Sequence, residues 1–297
     1  MSNILSISHL SKQYGRIKAL DNLSLNIQKG EVFGLLGPNG SGKTTTLGII
    51  LGILRSDSGE YVWFENKYGT RSNQKIGAIL ETPNFYPYLN AYDNLKIIQS
   101  IKKTDSDNLD ELLTLVDLKH RATSKFKTYS LGMKQRLAIA ATLIGKPEVL
   151  IFDEPTNGLD PRGIAEVREI LQRIASSGKT VIMASHMLDE VEKICDHVAI
   201  IKNGKLLASG KIGAIIHHNK TVEIGSEQID QLYTWSQNQY WIKSVSKNMQ
   251  NILEIQVDPD FNHATINEKT FQAGILLNHL VLKKKKLEEE FLQITKN

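Results

Sequence analysis

A continuously apolar run, Glu31-Val32-Phe33-Gly34-Leu35-Leu36, passes without a break into Gly37-Pro38-Asn39-Gly40-Ser41-Gly42-Lys43-Thr44 and then into a helical pattern through Leu54. A run of this kind forms a strand buried on both faces, so the order is strand, glycine-rich loop, helix. The loop satisfies the phosphate-binding pattern in the structural setting that gives the pattern its chemistry. Glycines let the backbone curl until successive N–H groups converge on phosphate oxygens at a helix N-terminus. Lys43 would neutralise the β- and γ-phosphates of a nucleotide, and Thr44 would offer its hydroxyl to Mg2+. Gly37, Asn39, Gly40, Ser41, Gly42, Lys43, Thr44 and Thr45 are the nucleotide-binding set this loop predicts.

Two more apolar runs, Glu148–Asp153 and Thr180–Ala184, predict further parallel strands, with a helix between them over Gly163–Ala175. Apolar residues alternate at Ile4, Leu5, Ile7, Leu10, Leu20, Leu23, Leu25 and Ile27 around Tyr14-Gly15-Arg16, which reads as antiparallel strands joined by a turn. From about 91 to 145 the spacing turns helical, as in Leu95, Ile98, Ile101 and Leu109, Leu112, Leu113, Val116. Beyond Gly210 the chain becomes more polar, with strand patterns at Thr221–Ile224, Tyr240–Val245 and Ile252–Val257 before a charged helical end. The expected architecture is an α/β P-loop NTPase core with an antiparallel β edge subdomain and a helical insertion, followed by a small C-terminal α+β domain. The boundaries this implies are 1–215 and 216–297.

No apolar stretch approaches the roughly 20 residues that cross a bilayer, and Met1-Ser2-Asn3-Ile4-Leu5 lacks the pattern of a secretory signal. A cytoplasmic chain is expected. Cys195 is the single cysteine, so it forms no internal disulfide and reads as a packing residue. The net charge of +4 is spread along the chain, and no nucleic-acid partner is expected.

Asp153 ends the second buried run, where its carboxylate could hold Mg2+ through water, and Glu154 beside it could orient or activate an attacking water. Adjacent acids also close strands near ordinary turns. Downstream of a phosphate-binding loop the catalytic reading takes precedence.

Tyr129-Ser130-Leu131-Gly132-Met133-Lys134-Gln135-Arg136, placed shortly before Asp153-Glu154, resembles the signature stretch of the ATP-binding cassette ATPases. The resemblance covers roughly residues 3 to 218. It implies ATP and Mg2+ as cofactors, Tyr14 stacked on adenine, and Ser130 and Gly132 touching the γ-phosphate held by the opposite subunit. Asp160, in Asn157-Gly158-Leu159-Asp160, resembles the loop that links the two sites, and His186, after Ser185, resembles the switch histidine that contacts γ-phosphate. A helix N-terminus attracts anions, and glycine permits close approach, so Ser130 and Gly132 make physical sense in that role. Hydrolysis then requires a second copy of the ATPase or a paralogue of it.

The signature departs from the family: Leu131 and Met133 stand where glycine and glutamine are common, and Tyr129 replaces a leucine. In Ile79-Leu80-Glu81-Thr82-Pro83 a glutamate occupies the place of the glutamine near the metal and the attacking water. That resembles the subgroup of bacitracin and lantibiotic self-protection exporters, and it adds Glu81 to the expected nucleotide and metal contacts. Glu81→Gln is expected to alter the Mg2+ dependence or pH profile of hydrolysis, because a carboxylate adds charge beside metal and triphosphate. An indistinguishable profile would remove Glu81 from the site.

The resemblance also implies a separate integral membrane permease and a peripheral location on the inner face of the membrane. Pro83-Asn84-Phe85-Tyr86-Pro87-Tyr88-Leu89 suits either a fixed loop presenting a groove to a permease helix or a self-packed loop with buried rings. Lys283–Lys286 could meet anionic lipid, although such a run more often forms a solvated face, here partly offset by Glu288, Glu289 and Glu290. Leu287–Leu292 resembles the ending of many exporter ATPases, whose accessory domain sometimes helps the dimer form. The alternative is a soluble cassette ATPase acting on DNA or ribosomes. Such relatives usually carry paired cassettes or coiled-coil insertions, and neither pattern is present.

Overall fold

Alternating apolar residues at the start of the chain become two long strands, and the continuous apolar runs become the centre of a parallel sheet. The computed structural model describes residues 2–80, 84–104, 107–216, 220–248, 251–258, 261–283 and 287–296. The chain divides into two compact units, Met1–Ile212 and Gly213–Asn297. The first opens with β1 (Asn3–Tyr14), β2 (Ile17–Gln28), β3 (Val32–Leu36), α1 (Lys43–Ile50), β4 (Ser58–Trp63) and β5 (Ile76–Ile79). Three helices follow, α2 (Ala91–Lys102), α3 (Leu109–Leu115) and α4 (Leu131–Leu143). It closes with β6 (Val149–Asp153), α5 (Pro161–Ser176), β7 (Thr180–Ser185), α6 (Leu188–Ile194), β8 (His197–Lys202) and β9 (Lys205–Lys211).

β2, β1 and β4 form an antiparallel sheet in that order, and β5-β6-β7-β3-β8-β9 form the second sheet, parallel except for the final β8–β9 pair. Every residue of β3, β6 and β7 is buried, as their unbroken apolar sequence requires. One core joins the two sheets: Leu5, Leu10, Leu20, Leu23 and Ile27 from β1 and β2 cluster with Phe33, Leu35, Ile151 and Ile182 from the parallel strands. Each such side chain contributes about 1.5–3 kcal/mol when fully buried. Cys195 belongs to the buried set, and burial pushes its thiol pKa up, which keeps it protonated.

The helix after the phosphate-binding loop is shorter than its apolar pattern suggests, because Leu51 caps it and Gly52 takes a left-handed φ of 73°. Between β5 and β6 the helices are capped by their own sequence: Asn90, Asn108 and Ser130 each accept a backbone N–H of the first turn.

β8 and β9 are joined by Asn203-Gly204, whose φ values of 51° and 76° form a primed hairpin turn. This turn braces the phosphate-binding loop. Gly204 N–H donates to Ser41 O at 2.9 Å, and Asp21 N–H donates to Gly204 O at 2.9 Å, tying β2 to the loop. A Cβ on Gly204 would lie 2.7 Å from Ala19 O. Gly204→Ala is therefore expected to lower stability by about 2 kcal/mol or more, from left-handed strain plus the clash, measured by urea denaturation.

The second unit contains α7 (Ile212–Ile215), which begins at the boundary, then β10 (Lys220–Gly225), α8 (Ile229–Gln237), β11 (Ile242–Lys247), β12 (Leu253–Val257), α9 (His263–Gln272), β13 (His279–Lys283) and α10 (Leu287–Lys296). The sheet order β11-β12-β10-β13, all antiparallel, is the ferredoxin-like arrangement of two interlocked βαβ units. Val222, Ile224, Leu253, Ile255 and Val257 line one sheet face and pack with Leu232, Trp241 and Ile266. The strand expected from Tyr240 begins instead at Ile242: the backbone N–H of Ile242 closes a turn onto Gln239 O, and Tyr240 is exposed. β13 was not legible as a strand, since its end reads as the start of a lysine run. Lys283 pairs with Glu223 on the adjacent β10 and with Glu254 on β12 beyond it. Lys284, Lys285 and Lys286 lie outside the described residues.

Candidate functional site

The parallel ladder sets three loops side by side. Leu36 of β3 pairs with Ser185 of β7, and Asp153 of β6 pairs with Ala184 of β7. The phosphate-binding loop, Asp153-Glu154 and Ser185-His186 therefore leave the same carboxyl edge of the sheet, where open α/β sheets bind ligands.

The loop is held in a shape only glycine allows. A Cβ on Gly37 would lie 2.3 Å from Ile201 O, and one on Gly42, at φ 110°, would lie 2.5 Å from Ala19 O. Gly42 caps α1 without a side-chain acceptor, leaving the first N–H groups of the helix to another partner. Ser41 is buried, and its hydroxyl oxygen has no hydrogen-bond partner. An uncapped helix start, a polar atom lacking a partner and a backbone with no room for side chains suit a ligand that presents many oxygen acceptors. Thr44 is exposed at the first turn of α1, Thr45 is half-buried, and Asn39 and Gly40 are exposed on the loop.

Lys43 is only 6% exposed, and its ammonium donates to Gly37 O at 2.8 Å and Pro38 O at 3.3 Å. Its Nζ lies 3.5 Å from Glu154 Oε1, while Glu154 Oε2 lies 2.9 Å from His186 Nδ1. Glu154 thus bridges the loop lysine and the histidine. It does so from a left-handed backbone, φ 48°, held by its N–H donating to Ala184 O at 2.9 Å and its carbonyl accepting from Asn157 N–H at 3.1 Å. Such a conformation costs a non-glycine residue about 1–2 kcal/mol, and here it turns the carboxylate off the strand end toward the loop. Asp153 is buried at the end of β6. Thr44, exposed at the start of α1, and Asp153 are the oxygen-bearing side chains at this edge that could hold a metal.

A second group of expected residues gathers elsewhere. Ser130, Gly132 and Asp160 line a groove of about 440 Å3 whose walls include no residue of the phosphate-binding loop. Ser130 caps α4, accepting from Met133 N–H at 3.3 Å; Asp160 caps α5, accepting from Gly163 N–H at 2.9 Å, with Pro161 opening the helix. A Cβ on Gly132 would meet only ordinary contacts, the nearest 3.9 Å from Gly163 Cα, so nothing in its own chain demands a glycine there.

Arg136, quoted above within the signature stretch but given no role there, is buried on the wall of this groove and joins the elements around it. Its Nη1 donates to Val116 O at 3.1 Å and Asp117 O at 3.0 Å, and its Nη2 lies 3.6 Å from Glu166 Oε2. Its structural role was not legible, because its partners lie on α5 and at the end of α3. Gly204 was missed as well, although Asn-Gly between apolar runs is a strong hairpin signal.

Tyr14 stands at the turn of the β1–β2 hairpin, 44% exposed, with Lys12 Nζ 5.5 Å from its ring centroid. Glu81 lies outside the described residues. Asn84, Phe85, Tyr86 and Pro87 line an apolar groove of about 450 Å3 with Ile97, Ile98 and Ile101 of α2. The loop is fixed by Asn94, which accepts from Tyr86 N–H at 2.8 Å and donates to Tyr86 O at 3.2 Å.

Residues 20–157 match the ABC transporter family. The chain is 40% identical over 230 residues to the lantibiotic transport ATP-binding protein SrtF of Streptococcus pyogenes, covering 77% of this chain and 96% of that protein. The chain belongs to the ATP-binding cassette family. It is also 44% identical to the bacitracin transport ATP-binding protein BcrA of Bacillus licheniformis, over 70% of this chain and 69% of that one. Among solved structures, a dimeric ATP-binding cassette in a post-hydrolysis state bound to ADP and phosphate superimposes with a TM-score of 0.60 at 27% identity, covering 70% of this chain and 98% of that chain. As a cassette of the transporter type, the chain is an ATP hydrolase with ATP and Mg2+ as its cofactors. No helix among the described residues is long and apolar enough to cross a membrane.

Proposed function

We propose that this cassette hydrolyses ATP between two facing copies and uses the closure to drive a separate membrane permease in export. The supporting observation is the division of the expected site into two halves. Lys43, Glu154 and His186 form one cluster, and Ser130, Gly132 and Asp160 line a different groove that excludes the phosphate-binding loop. A helix N-terminus whose glycine is not required by its own chain is ready for a phosphate carried by a second copy. In this reading residues 1–215 form the nucleotide-binding domain, with the helical part at about 91–145, and residues 216–297 form an accessory domain.

Within the pocket Lys43 binds the β- and γ-phosphates, the loop N–H groups and Ser41 receive phosphate oxygens, and Tyr14 lies under adenine. Glu154 accepts the proton of the attacking water, while His186 holds Glu154 and contacts the γ-phosphate. Thr44 and Asp153, together with Glu81, would hold Mg2+, which would supply positive charge to offset that of the phosphates. Asp160 links the two halves across the dimer.

The groove of Phe85, Tyr86, Pro87, Ile97, Ile98 and Ile101 suits an apolar cytoplasmic helix of the permease, and in this reading the chain is peripheral on the inner membrane face. Export follows from the resemblance to the bacitracin and lantibiotic transport subunits, and the alternative of action on DNA or ribosomes has no support among the relatives named above. Ile98→Glu, on the groove wall, is expected to release the ATPase from its permease in detergent co-purification while ATP binding remains. Retention of the complex would argue against this docking site.

A further inference from the structure

Just before the turn that carries Tyr14, the β1–β2 ladder shifts register twice, between Leu10 and Lys12 and between Lys12 and Gln13. The β1–β4 ladder shifts as well, between Ser8 and Ser11. Irregularities of this kind re-aim side chains and cluster beside functional sites. Here they bring Lys12 to two partners at once. Its Nζ lies 2.8 Å from Asp57 Oδ1 and sits over the Tyr14 ring, 5.5 Å from the centroid. The Lys12 side chain is only 18% exposed, although it stands beside the exposed tip of a hairpin.

Asp57 holds the turn from outside the hairpin. Its Oδ2 accepts from Gln13 N–H at 2.7 Å, its own N–H donates to Ser11 O at 2.9 Å, and Gln13 Nε2 donates to Gly15 O at 2.7 Å. The Lys12 ammonium, with the Gln13 N–H, holds the Asp57 carboxyl below the ordinary carboxylate range, so the pair stays ionised at neutral pH. Asp57 is also the last residue of the short connection from α1, the helix headed by Lys43, to β4. Leu54 in that connection seats against α1 where Gly48 leaves room: a Cβ on Gly48 would lie 2.7 Å from Leu54 Cδ1. The tip of the β1–β2 hairpin is thereby anchored to the far end of the phosphate-binding helix.

On the adenine contact assigned to Tyr14 above, we propose that Lys12 and Asp57 are positioning residues for the base: the ammonium held by Asp57 pins the Tyr14 ring from one side and leaves its other face set for adenine. An exposed aromatic side chain gives up rotamer freedom when a base stacks on it. A cation already fixed over the ring removes part of that cost before the nucleotide arrives. The phosphates are served by other groups, the loop N–H groups and Lys43, so the pair acts on the base alone.

Calorimetric titration of the full-length chain with Mg-ATP and with inorganic tripolyphosphate, which has no base to stack, separates the two subsites. Lys12→Met keeps the aliphatic stem and removes the charge. It is expected to weaken ATP binding and raise KM about three- to tenfold, the worth of one cation–ring contact, with kcat at saturating ATP and affinity for tripolyphosphate unchanged. Lys12→Arg should restore most of the loss, and Asp57→Asn should reproduce part of it. In a Tyr14→Ala chain, which itself loses ATP affinity, Lys12→Met should cost nothing further, because its effect passes through the ring. Three results would overturn the proposal while leaving the adenine stack in place. Equal losses of ATP and tripolyphosphate affinity in Lys12→Met would make the residue a general brace. A loss that persists in the Tyr14→Ala background would make Lys12 a direct nucleotide contact, and undiminished ATP affinity in Lys12→Met would show a ring that needs no support. Undiminished ATP affinity in Tyr14→Ala would instead remove the stack itself, and the positioning role with it.

Discussion

Glu154→Gln is expected to bind ATP, accumulate as a closed dimer and lose turnover by about 10^2- to 10^4-fold, the range that a positioned general base contributes. The substitution keeps the size and hydrogen-bonding reach of the side chain, so the 2.9 Å contact with His186 and the strained backbone at φ 48° can persist. What it removes is the basic oxygen and the negative charge 3.5 Å from Lys43. Loss of that charge makes the pocket more favourable to triphosphate, since one fewer anion opposes it. Binding and closure should therefore survive while proton abstraction fails. Phosphate release gives the turnover, and size-exclusion chromatography with and without ATP gives the dimer; a monomer with unchanged hydrolysis would remove Glu154 from its assigned role.

Lys43→Ala should fail at an earlier step. The ammonium is nearly enclosed and holds two loop carbonyls, at 2.8 and 3.3 Å, as well as lying near Glu154. Removing it deletes a charge-assisted phosphate contact and leaves those acceptors without their donor. At about 2–4 kcal/mol the loss corresponds to roughly 30- to 10^3-fold in ATP affinity. Titration calorimetry with ATP distinguishes the two variants, because Glu154→Gln should retain affinity and lose turnover while Lys43→Ala loses affinity first. Undiminished binding by Lys43→Ala would contradict its place on the phosphates.

The phosphate-binding loop was legible because its chemistry is local: a buried strand, glycines that permit close approach and a lysine follow one another in the chain. Asp153 and Glu154 were legible for a related reason, since a continuous apolar run announces its own end. The helical region could be read from period alone, and its caps at Asn90, Asn108 and Ser130 are local hydrogen bonds. Where strand ends depend on distant partners the reading was less sure. β5, β8 and β9 were not singled out, and the C-terminal strand begins two residues later than its pattern suggests, at Ile242. β13 was hidden by the lysine run that begins at its end, whose charge gives no hint that Glu223 on β10 and Glu254 on β12 receive Lys283.

From the sequence alone came the identity of the phosphate-binding loop, the acidic pair, the signature stretch and the α/β core, because each depends on neighbours within a few residues. Only the tertiary structure decided that Glu154 touches both Lys43 and His186, that Gly204 braces the loop, and that Ser130 and Asp160 share a groove apart from it. Those relations are made by strand order and register, which bring together residues far apart in the chain and leave no trace in local spacing.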